Sequence, residues 1–458
     1  MKILILGAGQ VGSTAATSLA REEANDVTIV DRDPRVLREL QDRLDVRTVV
    51  GEASHPDVLE RAGAADADII VALTDSDEVN MVACQVAYTL FHTPTKIARI
   101  RAAAYMTQDR LFAPDAIAVD VRISPEQLVT EHIEQLIRYP GALQVLDFAD
   151  RRVRLVGARA HYGGLLVGRP VRELSEHLPQ TETRVVAIYR GGESIIPDGD
   201  TVIQENDEVF FVAGRRDIRR MMNEMRRADE PVRRVVIAGG GNIGYRLALA
   251  LEQHNQVKLI ERDAKRARII SEQLNRTIVL NGDSADEDLL LEENVDHTDV
   301  FCAVTNADEA NILSAMLAKR LGCRRVIALV NRPAYAELIQ AGTIDIAISP
   351  QQVTLGSLLA HVRRGDVVKV HSLRRGAAEA IEAIAHGDRD SSRVVGRAVE
   401  DVPLPPGTTI SAIVRGEKIM AAHHDTVIEA EDHVILFMTD RRHIDAVERL
   451  FQVGVTFV

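Results

Sequence analysis

Cysteine and long apolar runs are scarce in this chain, and its 68 acidic residues outnumber its 55 lysines and arginines. Its three cysteines among 458 residues, Cys84, Cys302 and Cys323, are odd in number and far apart. That excludes a disulfide framework and fits a reducing cytosol. Cys302 and Cys323 lack the C-x-x-C spacing of a metal site and read as buried apolar side chains. His423-His424 also invites a metal reading, but neighbours on a strand face opposite ways, so the pair reads as exposed polar positions. No stretch approaches the ~18–20 apolar residues of a membrane span. The short run after Lys2 gives way to Gly7, so no secretory leader is expected. A formal net charge of −13 argues against nucleic acid as the main partner, because phosphate binding needs a basic surface. Locally basic faces remain compatible with that balance.

What is present is repetition. Gly7-Ala8-Gly9-Gln10-Val11-Gly12 follows the apolar run Lys2–Leu6, and Gly239-Gly240-Gly241-Asn242-Ile243-Gly244 follows Val235–Ala238. Both are G-x-G-x-x-G, 232 positions apart. After the first come the short apolar runs Asp26–Val30, Val46–Val50, Asp68–Leu73, Lys96–Ile100 and Ala116–Val119. The second copy repeats the plan with Gln256–Ile260, Thr277–Leu280, Asp299–Val304, Arg325–Val330 and Ile344–Ile348. Runs that are apolar throughout, separated by helical stretches, predict parallel strands covered on both faces. The expected fold class is α/β, with two Rossmann-like doubly wound parallel-sheet domains.

Each copy is followed by about 90 residues with hairpin signals. Gly191-Gly192 joins Val185–Arg190 to Glu193–Ile196, and Gly416-Glu417 joins Ile410–Arg415 to Lys418–Ala421. A closing helix is expected at Arg216–Met225 and at Arg441–Phe451, and the charged, proline-bearing stretch Asn223–Arg234 reads as the linker between halves. The domain order is therefore A–B–A–B, with boundaries expected at 1–140, 141–228, 232–364 and 365–458. Each A copy ends alike, in Ile123-Ser124-Pro125-Glu126-Gln127 and Ile348-Ser349-Pro350-Gln351-Gln352. Serine at the N-cap, proline at N1 and glutamine at N3 predict a capped helix start. The first of these helices carries Leu128, Val129, Ile133, Leu136 and Ile137 at helical spacing. That stripe packs on its own sheet, on the sister domain or on another subunit.

The glycines let the backbone turn sharply and approach a pyrophosphate at a helix N-terminus. About 20 residues on, Asp31 and Glu261 close the second strands, where a carboxylate bonds the ribose hydroxyls. An acid there favours NAD(H) or an adenine nucleotide over NADP, although Arg32 and Arg262, which follow directly, soften that discrimination. Glu52 and Asp283 follow the third strands, where an adenine ring rests. Thr74 and Thr305 end the fourth strands, level with the phosphates. The alternative role for these four is loop capping. Aligning Tyr105 with Tyr335 puts Leu329 opposite Arg99, which predicts a tighter first site if Arg99 reaches the phosphates. A dehydrogenase needs an acid or base beside the nicotinamide. None of the seven tyrosines begins a Tyr-x-x-x-Lys pair, and no catalytic domain remains once the repeats are assigned. No catalytic residue and no metal site is therefore expected; the rival classes are an NAD-dependent oxidoreductase and a stand-alone cytosolic nucleotide-sensing assembly protein.

The chain resembles the tandem RCK (KTN) regulatory subunits of bacterial Trk potassium uptake systems. The resemblance rests on Gly7–Gly12, Asp31, Ser54-His55-Pro56, Asp77-Glu78-Val79-Asn80, Gly239–Gly244, Asp308-Glu309-Ala310-Asn311 and Ile348–Gln352, in an order that covers essentially the whole chain. It implies that the A domains are RCK-N and the B modules RCK-C (TrkA-C) domains. It implies NAD(H) and ATP/ADP as ligands, with Gly7–Gly12, Asp31, Thr74, Asp75 and Arg99 lining the first site. Gly239–Gly244, Glu261, Asp283, Thr305 and Asn306 would line the second. It further implies a homo-oligomeric ring of RCK domains, peripheral on the cytoplasmic face of the inner membrane, beneath an integral-membrane potassium transporter subunit of the TrkH/TrkG type.

Overall fold

A computed structural model describes residues 1–22, 25–227, 230–332, 335, 343–362, 366–373 and 378–452. The chain divides into two compact units, one of residues 1–129 with 349–358, the other of 130–348 with 359–458.

The first unit is built on β1 (Lys2–Leu6), β2 (Asp26–Asp31), β3 (Arg47–Val50), β4 (Ile69–Ala72), β5 (Thr95–Arg99) and β6 (Val121–Ile123). They form one sheet in the order β3-β2-β1-β4-β5-β6, parallel throughout. Ile3, Leu4, Ile5 and Leu6 are all buried, as the unbroken apolar run requires when helices cover both faces. One expected strand is displaced. Ala116–Val119 is not a strand, and the edge of the sheet is Val121–Ile123. The apolar residues of that run serve the core from a loop, with Val119 buried and Ile117 packed against the cluster around Met81 and Ile100. Asp120 then sets the register, since its carboxylate accepts the Lys96 amide at 2.6 Å and pairs with Lys96 Nζ at 2.8 Å.

The second unit holds the other parallel sheet, β12 (Arg234–Ala238), β13 (Gln256–Glu261), β14 (Ile278–Asn281), β15 (Val300–Ala303), β16 (Arg325–Leu329) and β17 (Ile346–Ile348). Its order, β14-β13-β12-β15-β16-β17, repeats that of the first sheet. Two antiparallel sheets complete the unit. One is β7 (Ala142–Phe148), β8 (Val153–Arg159), β9 (Thr183–Arg190), β10 (Glu193–Ile195) and β11 (Glu208–Gly214). The other is β18 (Val367–Leu373), β19 (Ala378–Ala385), β20 (Thr408–Arg415), β21 (Lys418–Ala421) and β22 (Asp432–Met438). The expected hairpins are β9–β10 and β20–β21. One core serves both sheets, holding Leu146, Phe148, Leu155 and Phe210 of the first with Leu373, Ala412, Ile435 and Phe437 of the second. Phe210 and Phe437 meet at 5.7 Å between centroids, inside the range of favourable aromatic pairs.

Helices Pro125–Arg138 and Pro350–Val362 begin at the expected serines, with Ser124 and Ser349 Oγ each 3.4 Å from the amide three residues on. The second departs from a simple capping box. The Ser349 hydroxyl donates to Gln351 Oε1 at 2.7 Å, while Gln352 Oε1 is buried without a partner. The apolar stripe of the first helix divides, Leu128 and Val129 belonging to the first unit and Ile133, Leu136 and Ile137 to the second. There the Arg325 guanidinium, at the start of β16, donates to the carbonyls of Leu136 and Ala142. Val129, Ile133, Leu136 and Ile137 are buried. In exchange, residues 349–358 belong to the first unit.

Candidate nucleotide site

Each glycine loop sits where its parallel sheet changes winding direction, at the carboxyl ends of the strands, the usual ligand position of open α/β sheets. Gly7 and Gly239 have φ of +99° and +106°, a left-handed conformation that suits glycine. A Cβ at Gly12 would stand 1.9 Å from the Gly7 carbonyl oxygen, and one at Gly244 would stand 1.8 Å from that of Gly239. These four glycines are therefore demanded by the fold itself. Gly9 and Gly241 differ, since no atom lies within 4 Å of a Cβ built there. They are the N-caps of helices Gln10–Leu19 and Asn242–Leu251, with no side-chain cap and no acidic residue in the first turn. Helices Pro34–Gln41 and Asp77–Phe91, by contrast, are capped by Asp33 and Ser76. Uncapped amides at the positive end of a helix, fronted by open space, suit an anion such as a pyrophosphate.

The acids at the ends of β2 and β13 hold these loops. Asp31 accepts the Ala8 amide at 2.6 Å and the Asp33 amide at 2.8 Å. Glu261 accepts the Gly240 amide at 2.7 Å and the Asp263 amide at 2.8 Å. Each carboxylate keeps further acceptor capacity for ribose hydroxyls. The longer glutamate has a steric consequence. A Cβ at Gly240 would lie 2.9 Å from Glu261 Oε2 and 2.5 Å from Ile270 Cδ1, whereas Ala8 is accommodated beside the shorter Asp31. The second loop also carries Arg266, whose Nε donates to the Gly240 carbonyl at 3.0 Å.

Thr74 and Thr305 are tied by buried asparagines that the sequence reading did not assign to the site. Asn80 Oδ1 accepts from Thr74 N and Oγ1 at 2.9 and 2.6 Å, and Asn311 Oδ1 from Thr305 N and Oγ1 at 2.8 and 2.6 Å. Their amide groups donate to the carbonyls of Arg99 and Leu329 at 2.9 and 3.0 Å. Buried Asp77 and Asp308 likewise collect the amides that follow β5 and β16, Arg101 and Ala102 in one copy, Asn331 and Arg332 in the other. The signal for all four was the Asp-Glu-x-Asn segment recurring 231 positions apart.

Arg99 and Leu329 occupy equivalent places, paired with Ile123 and Ile348 on the edge strands. Arg99 Nη2 lies 3.6 Å from Glu126 Oε1; burial pulls its pKa down and the Glu126 charge opposes that shift. Glu126 aligns with Gln351, so the second copy has lost both members of the ion pair. Gln351 instead reaches the first loop, its Nε2 donating to Gln10 Oε1 at 2.8 Å. Arg32 and Asp75 form an exposed ion pair at 3.5 Å, and Asn306 stands where Asp75 does. Glu52 and Asp283 are exposed. Asp283 follows the loop-capping alternative, accepting the Ala285 amide at 2.9 Å. His423 and His424 are exposed in a turn rather than on a strand. Among the described residues no His, Cys, Asp or Glu cluster could hold a metal ion, and the three cysteines are buried thiols, Cys84 pushed up to about 12 by burial.

Two Rossmann-like parallel-sheet domains alternating with two small antiparallel modules define a duplicated two-module chain. The TrkA-N domain model matches residues 3–121 and 235–350, and the TrkA-C domain model residues 155–226 and 389–452. The chain belongs to the TrkA family of Trk-system potassium uptake proteins. It is 61% identical over 457 residues to the Trk system potassium uptake protein TrkA of Halomonas elongata, covering 100% of both chains. It is 58% identical over 459 residues to the protein of the same name from Vibrio alginolyticus, again over 100% of both. Among solved structures, the GsuK RCK domain shares the fold at a TM-score of 0.62 and 18% identity, over 98% of this chain and 94% of that one. The GsuK channel bound to NAD has a TM-score of 0.62 at 19% identity, over 98% and 79%.

Proposed function

We propose that this chain is the cytosolic regulatory subunit of a Trk-type potassium transporter, and that it controls potassium flux by binding NAD(H) or ATP/ADP. It would act at the cytoplasmic face of the membrane, in a homo-oligomeric ring beneath a TrkH/TrkG-type subunit. Among the described residues no helix is long and apolar enough to cross a membrane. The carrying observation is that both parallel sheets present an uncapped helix start behind an open glycine, with a carboxylate bonded into the same loop. Gly7–Gly12 and Gly239–Gly244 would hold the pyrophosphate, Asp31 and Glu261 the ribose, and Arg99 the phosphates of the first site. The GsuK channel, which shares the fold, is bound to NAD.

The chain would act by binding rather than chemistry. A nucleotide shifts a conformational equilibrium by as much as its affinities for the two states differ. The helices beginning at Ser124 and Ser349 are the elements that would carry the shift, because each follows the edge strand of its parallel sheet and runs from the first unit into the second. The test is potassium flux through the transporter in proteoliposomes, with the full chain added and NADH or ATP titrated. Flux that changes with nucleotide supports the reading; flux unchanged by nucleotides that bind the chain refutes it.

A further inference from the structure

The amino edge of the second parallel sheet, opposite the glycine loop, holds a half-open cavity of about 830 Å³. Its cationic lining residues are Arg233, Arg234, Lys258 and Arg276. Two carboxylates also line it, and both are engaged. Glu252 accepts the amides of Arg276 and Thr277 at 2.9 and 3.1 Å and the Thr277 hydroxyl at 3.0 Å. Glu293 pairs with Lys258 at 2.7 Å. The side chains of Arg233 and Arg276 are exposed and have no carboxylate partner among the described residues.

The first sheet supplies an internal control. Strand pairing makes Lys2 equivalent to Arg234 and Asp26 to Gln256. Glu22 and His254 both donate their amides to the last leucine of the preceding helix, Leu19 and Leu251. Arg47 and Ile278 occupy the same register, which sets Asp45 against Arg276. The short 3-10 turns Ala64–Asp66 and Val295–His297 set Asp66 against His297. Four acids of the first copy, Glu22, Asp26, Asp45 and Asp66, are thus His254, Gln256, Arg276 and His297 in the second. Fold and glycine loop are shared, so neither requires this loss of negative charge, which Glu252 and Glu293, standing where the first copy has Ala20 and Ala62, offset only in part. It stands out further in a chain whose net charge is −13.

We propose that this cavity binds a small, multiply charged anion of the phosphate-ester or polyphosphate kind. Its volume lies within the ~300–1,000 Å³ typical of small-molecule sites. Val235, Val236 and Val257 line it together with the cations. Arg233 and Arg276 would grip the anion bidentately. The site is separate from the glycine loops, being at the other end of the strands.

The test uses the full chain with NADH saturating, so that both glycine loops are occupied, and titrates inorganic tripolyphosphate by calorimetry. Wild type binds it, and Arg233→Glu with Arg276→Glu weakens binding at least about tenfold and flattens its salt dependence. Arg276→Gln alone, which changes one exposed side chain, weakens it about threefold. No tripolyphosphate binding under these conditions, or equal binding by wild type and both variants, overturns the proposal. Binding abolished instead by Gln10→Glu, with the arginine variants unaffected, places the anion at a glycine loop and overturns it as well.

Discussion

The two parallel-sheet domains have the same strand order, the same sterically forced glycines and the same asparagine clamp, yet their edges differ in charge. At the carboxyl edge the first copy keeps Arg99 with Glu126, and Arg32 with Asp75. The second has Leu329, Gln351 and Asn306 in those places. At the amino edge the first copy is acidic and the second basic. What duplication preserved is the backbone geometry of the glycine loop; what diverged is the charge at both edges of the sheet.

The largest expected effect tests what is shared. Gly12→Ala and Gly244→Ala each force a Cβ into a backbone carbonyl oxygen below 2 Å. Each should destabilise its domain by about 3 kcal/mol or more in urea unfolding. Tolerance of one but not the other would break the equivalence of the loops. A smaller effect tests the paired change of acid and glycine. Gly240→Ala should cost about 1–3 kcal/mol through Ile270 and Glu261, while Ala8→Gly should cost well under that. Adding Glu261→Asp should recover part of the Gly240→Ala loss, and a double-mutant cycle with no coupling would contradict the steric account.

Arg99→Leu with Glu126→Gln rewrites the first carboxyl edge as the second. Nucleotide affinity at the first loop should fall roughly tenfold and lose part of its salt dependence, read by calorimetry. The smallest effect concerns the antiparallel modules. Register places His371 of β18 where Leu146 stands in β7, and it stacks edge-on to Phe148 at 5.0 Å with a nitrogen 3.2 Å from the Asp147 carbonyl. Burial, with Lys369 and His132 adding positive charge, pushes its pKa down to about 4. The unfolded chain then binds the proton first, so this stability is present above pH ~6.5 and declines as pH falls toward 4. Thermal unfolding should show wild type losing about 1 kcal/mol more than His371→Leu between pH 7 and 5.

Both parallel sheets were legible from sequence because unbroken apolar runs and steric glycines are local signals. Ala116–Val119 misled because apolar residues in a loop serve a core as well as those in a strand do. The stripe on Pro125–Arg138 announced packing but left its own sheet, the sister domain and another subunit all open, because the choice depends on residues far away in sequence, such as Arg325. The Arg99–Glu126 pair was illegible because its members lie on different elements. Gln351 approaching Gln10 crosses 341 positions, and no spacing rule reaches that far.

Equilibrium binding of NADH and of ATP to the full chain tests the central claim most directly. Two sites per chain of unequal affinity are predicted, with the tighter one lost in Asp31→Ala and retained in Glu261→Ala. Two equal sites, or loss of the tighter one in Glu261→Ala, would contradict it.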